Sequence, residues 1–291
     1  MEVVLAAAPA RLADFLELTK PRITFLVLVT TAVGYAIGVG TSFHPAVFVS
    51  LLVGTALVSG GASALNQWAE RDADARMTRT ACRPLPSGRL VPNDALLFGI
   101  AISLVGMVLL AGAVNGLTAL LALGSLSSYV LVYTPLKRVT SLCTLVGAVP
   151  GAIPPMMGWA AARGSLDREA WALFGVLFLW QLPHFLSIAW IYREDYARGG
   201  FPMLPVRDPG GGSTARQTVA YAAALLPVTL LAGAFATAGN FYLWGAVALG
   251  ALFVGCTIAF ALQRSVRAAR WVFLASVLYL PAVLGLMVLD R

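Results

Sequence analysis

The chain of 291 residues is 59% hydrophobic and only 11% charged, with a mean hydropathy of +0.83. Apolar runs long enough to cross a bilayer recur from end to end, which excludes a soluble globular domain. The formal charge of +7 and pI near 9.7 do not indicate nucleic acid, because the basic residues sit in short segments between apolar runs, where they set topology.

The N-terminus has no basic n-region and lacks the arginine-rich character of a transit peptide, so a bacterial inner (plasma) membrane is the simplest expected location. Residues Arg11 to Leu18 read equally as a short amphipathic helix along the interface or as a frayed arm. Hydropathy predicts nine spans, near 22–41, 46–66, 94–113, 117–135, 141–162, 170–191, 217–238, 241–262 and 270–289. With the N-terminus placed in the cytoplasm, 17 of the 20 Lys and Arg residues fall on that side. Only Arg163, Arg168 and Arg291 fall on the other, so the positive-inside rule fixes this orientation and an odd number of spans.

Thr19-Lys20-Pro21-Arg22 enters the first span with a proline suited to a first helical turn. The second span runs into Asn66, Glu70 and Asp74. If its helix continues, these residues share one face, with an amide and two carboxylates stacked over two turns. Like charges four apart repel, so a cation is expected between them, and a hard oxygen-liganded ion such as Mg²⁺ suits the donor set. Mg²⁺ completes its shell with water and phosphate, so diphosphate is the implied ligand, and arginines such as Arg79 and Arg83 just downstream are its natural partners. A plain solvated positive loop would account for the arginines but not for the acids.

Tyr133-Thr134-Pro135-Leu136-Lys137-Arg138 closes the fourth span. Singly, Lys20, Arg22, Lys137 and Arg138 read as cations that snorkel to headgroups; as a set they line one anionic pocket. Gly147, Pro150, Gly151, Pro154 and Pro155 are expected to break the fifth helix, for close packing or for function. In the sixth span His184 is an intramembrane ionisable group and a functional candidate by default, although a lone histidine bonded to a neighbouring helix is an ordinary structural solution. A second polar loop follows, with Arg193, Glu194 and Asp195. Spans one to four and five to eight then look like two parallel copies of a four-helix unit, with the ninth left over. Cys82, Cys143 and Cys256 are too scattered for a disulfide framework or a metal knuckle.

Together, the NxxxExxxD motif with MxRTxxRPLPSG, then YTPLKRxT, then WQLPHFLSIAWIYREDYARGGFPMLP, resemble the protohaem IX farnesyltransferases (haem O synthases), a branch of the intramembrane UbiA-type prenyltransferases. The likeness runs from Lys20 to the last span. It implies an all-α, nine-helix bundle forming a single prenyltransferase domain over 1–291, about 1–20 being an N-terminal arm, with two acidic-motif loops facing the cytoplasm. It implies farnesyl transfer from farnesyl diphosphate to a vinyl group of haem b, with Mg²⁺ as cofactor. Carried over by motif, Asn66, Glu70 and Asp74 form a first metal–diphosphate site and Asp195 a second, these four being the catalytic set. Lys20, Arg22, Arg79, Arg83, Lys137, Arg138 and Arg193 would bind diphosphate. His184, Tyr133, Trp180 and Tyr192 would face the acceptor, His184 by ligating iron or holding a propionate. Implied partners are the two substrates, the lipid bilayer and a downstream haem-modifying or oxidase-assembly protein.

Two positions depart from the family pattern. Glu70 stands where the wider family often has Asp, which keeps the ligand type and adds a methylene. Around Asp195 the repeated DxxxD is lost, since positions 191 and 199 are Ile and Gly. The required chemistry is stabilisation of a departing diphosphate without a strong protein nucleophile. The vinyl group attacks the farnesyl cation, and water captures the resulting porphyrin-side cation. The rival acceptors are a quinone precursor or chlorophyllide. The rival class is a transporter, against which the acids cluster at one face and not at mid-depth.

Overall fold

The computed structural model describes residues 12–40 and 42–290, and these are helical almost throughout. A short helix, α1 (Leu12–Leu18), precedes the long helices α2 (Pro21–Val39), α3 (Pro45–Asp74), α4 (Pro92–Ala113), α5 (Gly116–Leu136), α6 (Cys143–Arg163) and α7 (Arg168–Ile191). Two short helices, α8 (Arg193–Gly199) and α9 (Leu204–Arg207), lead to α10 (Gly212–Phe235), α11 (Asn240–Gln263) and α12 (Val266–Leu289). Among the described residues nine helices are long and apolar enough to cross a membrane, each overlapping a predicted span. Of the expected N-terminal helix, Leu12–Leu18 is present, while Arg11 lies outside the described residues, as does Arg291.

The spans are apolar around most of their circumference, so residue size selects the packed faces. Large side chains such as Leu104, Val108, Leu120 and Leu262 point outward. Some glycines face inward and let backbones touch. A Cβ on Gly61 of α3 would lie 2.0 Å from Ser103 Oγ and 2.7 Å from the Gly99 carbonyl oxygen of α4. One on Gly158 of α6 would lie 2.0 Å from the Thr31 carbonyl oxygen of α2. The helix neighbours repeat: α2–α3, α3–α4 and α4–α5 pack in one half, and α6–α7, α7–α10 and α10–α11 in the other. The ninth span, α12, closes the bundle against α7, α11 and α2.

The expected break in the fifth span does not occur. Helix α6 runs from Cys143 to Arg163 with Pro150, Pro154 and Pro155 inside it. Pro154 has no N–H to give to the carbonyl of Pro150, four residues back. That carbonyl accepts the Ser125 hydroxyl of α5 at 3.0 Å instead. A neighbouring helix thus satisfies the carbonyl that Pro154 releases, and the helix stays continuous within the bundle.

Helix α3 has 30 residues, about 45 Å at 1.5 Å per residue. Roughly 20 residues cross the hydrocarbon, so its last turns project beyond the span and carry the acidic motif with them. Residues 75–91 and 193–207 cap this end together. The Arg76 guanidinium donates to the Gly199 carbonyl at 3.1 Å, and Ala73, Met77, Cys143, Tyr196, Phe201 and Met203 form a small core beneath. Helix α1 is tied on by Gln67, which donates to the Leu18 carbonyl at 2.8 Å, and by Arg89, which bridges Asp14 and Glu17.

Candidate active site

Because α3 stays helical to Asp74, Asn66, Glu70 and Asp74 do share a face, and all three are buried. Each meets a different element. Asn66 donates to Thr134 Oγ1 at 3.1 Å and accepts from Lys20 Nζ at 3.2 Å. Glu70 Oε2 accepts from Lys137 Nζ at 3.0 Å, and Asp74 Oδ2 from Arg83 at 2.6 Å. The remaining carboxylate oxygens, Glu70 Oε1 and Asp74 Oδ1, are buried without a hydrogen-bond partner among the described residues.

Local geometry serves this arrangement. Lys20 adopts a left-handed conformation (φ 49°, ψ 65°) immediately before Pro21, the first residue of α2. A non-glycine residue there carries strain of order 1–3 kcal/mol, and its ammonium reaches Asn66. In α5 the turn Ser128–Tyr133 widens to a π-helix, and the Thr134 N–H bonds the Tyr129 carbonyl five residues back. Pro135, without an N–H, could not continue the α ladder anyway. The widened turn presents Thr134 to Asn66 and is followed by Lys137 opposite Glu70. Burial, and then the neighbouring Arg83 charge, lower the Lys20 pKa to about 7. Burial also opposes charge on Lys137, but Glu70 outweighs it and the net shift is upward.

Aromatic rings surround the cations. Lys137 Nζ lies 4.4 Å from the Phe201 ring centroid, 5.9 Å from Tyr196 and 6.0 Å from Tyr133. Arg79 lies over Tyr192 at 4.9 Å and Tyr196 at 5.8 Å. Tyr133 in turn fits against Gly147, where a Cβ would approach its ring to 2.7 Å. The structure therefore brings Asn66, Glu70, Asp74, Lys20, Arg83, Lys137, Arg79, Tyr133 and Tyr192 to one end of the bundle.

Other expected residues stand apart. Arg22 is exposed on the first turn of α2. Arg138 donates to the Ala69 carbonyl, and Arg193 lies over Trp190 at 4.6 Å. His184 Nδ1 pairs with Ser276 Oγ of α12 at 2.7 Å, its ring stacked on Trp180, whose Nε1 donates to the Ser276 carbonyl at 2.7 Å. None of these His184 and Trp180 contacts involves an acid-site residue. Asp195 accepts from the Thr78 N–H at 3.1 Å and pairs with Arg198. Burial works against its charge, and the Arg198 and Thr78 bonds more than offset this, so its pKa falls. Thr134, Tyr196 and Phe201 belong to the site and were not among the candidates. Tyr196, one helical turn after Tyr192, was the one readable signal.

A divalent metal fits the donor set. The two unpartnered oxygens sit on carboxylates one turn apart, and every donor of the motif is a hard oxygen. No three His, Cys, Asp or Glu residues form a metal cage among the described residues. Arg83 and Lys137 pair with the two carboxylates, and Lys20, bonded to Asn66, adds a third nitrogen donor beside them.

A long-helix intramembrane bundle with a paired-carboxylate site under lysine, arginine and aromatic rings at one end defines a class of membrane enzyme handling anionic, metal-associated substrates. The chain matches the UbiA prenyltransferase family over residues 27–279 and belongs to that family. It is 50% identical over 287 residues to the protoheme IX farnesyltransferase of Solibacter usitatus, covering 96% of this chain and 98% of that one. It is 46% identical to the enzyme of the same name from Salinibacter ruber, with 95% and 98% covered. Among solved structures it resembles a digeranylgeranylglyceryl phosphate synthase (TM-score 0.81, 16% identity, 96% and 98% covered). A UbiA homolog from Archaeoglobus fulgidus, bound to DMAPP and Mg²⁺, superposes with a TM-score of 0.66 at 17% identity, with 95% and 99% covered.

Proposed function

We propose that this chain transfers a farnesyl group from farnesyl diphosphate to a vinyl group of haem b, with addition of water, giving haem O and diphosphate. The observation that carries the prenyl-transfer half is the pair of unpartnered oxygens on Glu70 and Asp74 beneath Lys20, Arg83 and Lys137. Relatives 43–50% identical over nearly the whole chain, named for farnesyl transfer to protoheme, support the acceptor.

Glu70 and Asp74, with Asn66, would hold a Mg²⁺ ion, which supplies Lewis-acid neutralisation of the leaving diphosphate. Lys137 and Arg83 pair with the buried acids and offer their remaining donors to phosphate oxygens. Lys20 and Arg79 extend that positive surface. Tyr133, Tyr192, Tyr196 and Phe201 present π faces, which stabilise positive charge developing on the allylic carbon. The site end faces the cytoplasm of a bacterial inner membrane, as the basic residues gathered at that end support. Pigments extracted from membranes with and without the chain test the reading by mass. A farnesylated, hydrated haem that depends on the chain is expected; its absence, with haem b alone recovered, overturns the acceptor.

A further inference from the structure

We infer that Asp195 is a positioning residue, a latch that holds the Met77–Arg83 turn over the acid pair, and not a ligand of the metal. The inference rests on the diphosphate reading above. Asp195 Oδ1 accepts the Thr78 N–H at 3.1 Å. Arg198, one turn further along α8, pairs with the same oxygen and donates to Thr78 Oγ1 at 3.1 Å. Arg76 reaches back to the Gly199 carbonyl at 3.1 Å, and a Cβ on Gly199 would lie 3.0 Å from Met77 Cγ, so helix and turn are in close contact. The turn so held carries Arg79, over the rings of Tyr192 and Tyr196, and leads to Arg83, bonded to Asp74.

Asp195 differs from the acids of α3 in two respects that bear on a metal. Glu70 and Asp74 each keep a fully buried oxygen without a partner, whereas Asp195 is not among such groups and its Oδ1 is already committed to Thr78 and Arg198. One turn either side of it stand Ile191 and Gly199, so no second carboxylate shares its face. Its backbone and guanidinium bonds are those of a carboxylate stapling a turn. The second acidic region of this chain therefore organises the cations of the first.

The full-length protein in detergent micelles, as wild type, Asp195→Ala, Arg198→Gln, Arg198→Lys, the double variant of Asp195→Ala with Arg198→Gln, and Asp74→Asn, tests this by three readouts. These are Mn²⁺ affinity in the presence of inorganic diphosphate, measured by electron paramagnetic resonance, the rate of tryptic cleavage within 76–89, and the KM for farnesyl diphosphate. Loss of a charge-assisted hydrogen bond predicts a KM raised roughly ten- to hundredfold in both latch variants. Cleavage should quicken in both, Arg198→Lys should recover part of the loss, and the double variant should be no worse than the worse single one. Mn²⁺ affinity should stay within about twofold of wild type in the latch variants and fall in Asp74→Asn. A tenfold or greater loss of Mn²⁺ affinity in Asp195→Ala but not in Arg198→Gln overturns the latch, as does unchanged cleavage in both. If the wild type does not consume farnesyl diphosphate, the functional reading fails instead, and the cleavage and Mn²⁺ measurements still decide the latch.

Discussion

At the scale of single residues, Asp72 and Asp74 have opposite environments two positions apart. The Asp72 side chain is 75% exposed beside Arg71, while that of Asp74 is 1% exposed, bonded to Arg83 and left with one unpartnered oxygen. Asp74→Asn should lower turnover about 10²–10³-fold, the scale for a group that stabilises charge developed in the reaction. Asp72→Asn should stay near wild type in the same membranes. A larger loss at Asp72 would show that the wrong face of α3 carries the chemistry. Lys137 makes a second, separable prediction. Its pair with Glu70 is buried, so Lys137→Met leaves an uncompensated charge and should cost about 3–5 kcal/mol of stability. Adding Glu70→Gln should restore much of that loss in a thermal melt while leaving activity absent. The Asn66, Glu70 and Asp74 spacing was legible because it is local, a matter of helical period. Thr134 and Phe201 were not, because they reach the site through Asn66 and Lys137, more than 60 residues away in sequence, and no local pattern encodes such pairings; for Tyr196 the spacing from Tyr192 was the one signal.

At the scale of elements, the interruptions in the helices were visible in the sequence and their consequences were not. The prolines of α6 were expected to break it. Whether a helix survives proline depends on who takes the released carbonyls, and here Ser125 takes that of Pro150 from another helix. Ser125→Ala should therefore strand a buried carbonyl and lower stability by about 1–3 kcal/mol, seen as a reduced melting temperature, whereas Ser125→Thr should retain most of it. An unchanged melt in Ser125→Ala would mean that the carbonyl finds another donor. The π-turn in α5 was likewise unread, although Pro135 marks where the α ladder has to yield. Such turns gather at functional positions, and this one lies between Tyr129 and Thr134, directly against the acidic face of α3.

At the scale of the whole molecule, the nine spans were the most legible feature, since length and hydropathy alone locate them. The charge asymmetry of their connections also predicts an orientation, with cysteines placed at Ser87 and Gly239 reacting from opposite sides of the membrane in a chain lacking Cys82, Cys143 and Cys256. Labelling of both from one side would contradict it. What the bundle achieves as a unit is to carry two acids beyond the span on an overlong α3 and bury them beneath Lys20 at the start of α2, the Lys137 end of α5 and the two polar loops. The most direct test of that arrangement as a haem farnesyltransferase is one reconstitution of the purified chain with farnesyl diphosphate, haem b and Mg²⁺. Diphosphate release and product mass would be followed with haem b present, absent, or replaced by a quinone precursor. The account predicts release coupled to formation of a farnesylated, hydrated haem, greatest with haem b and abolished by chelating the metal. Prenylation of the quinone precursor with haem b left unmodified would contradict it.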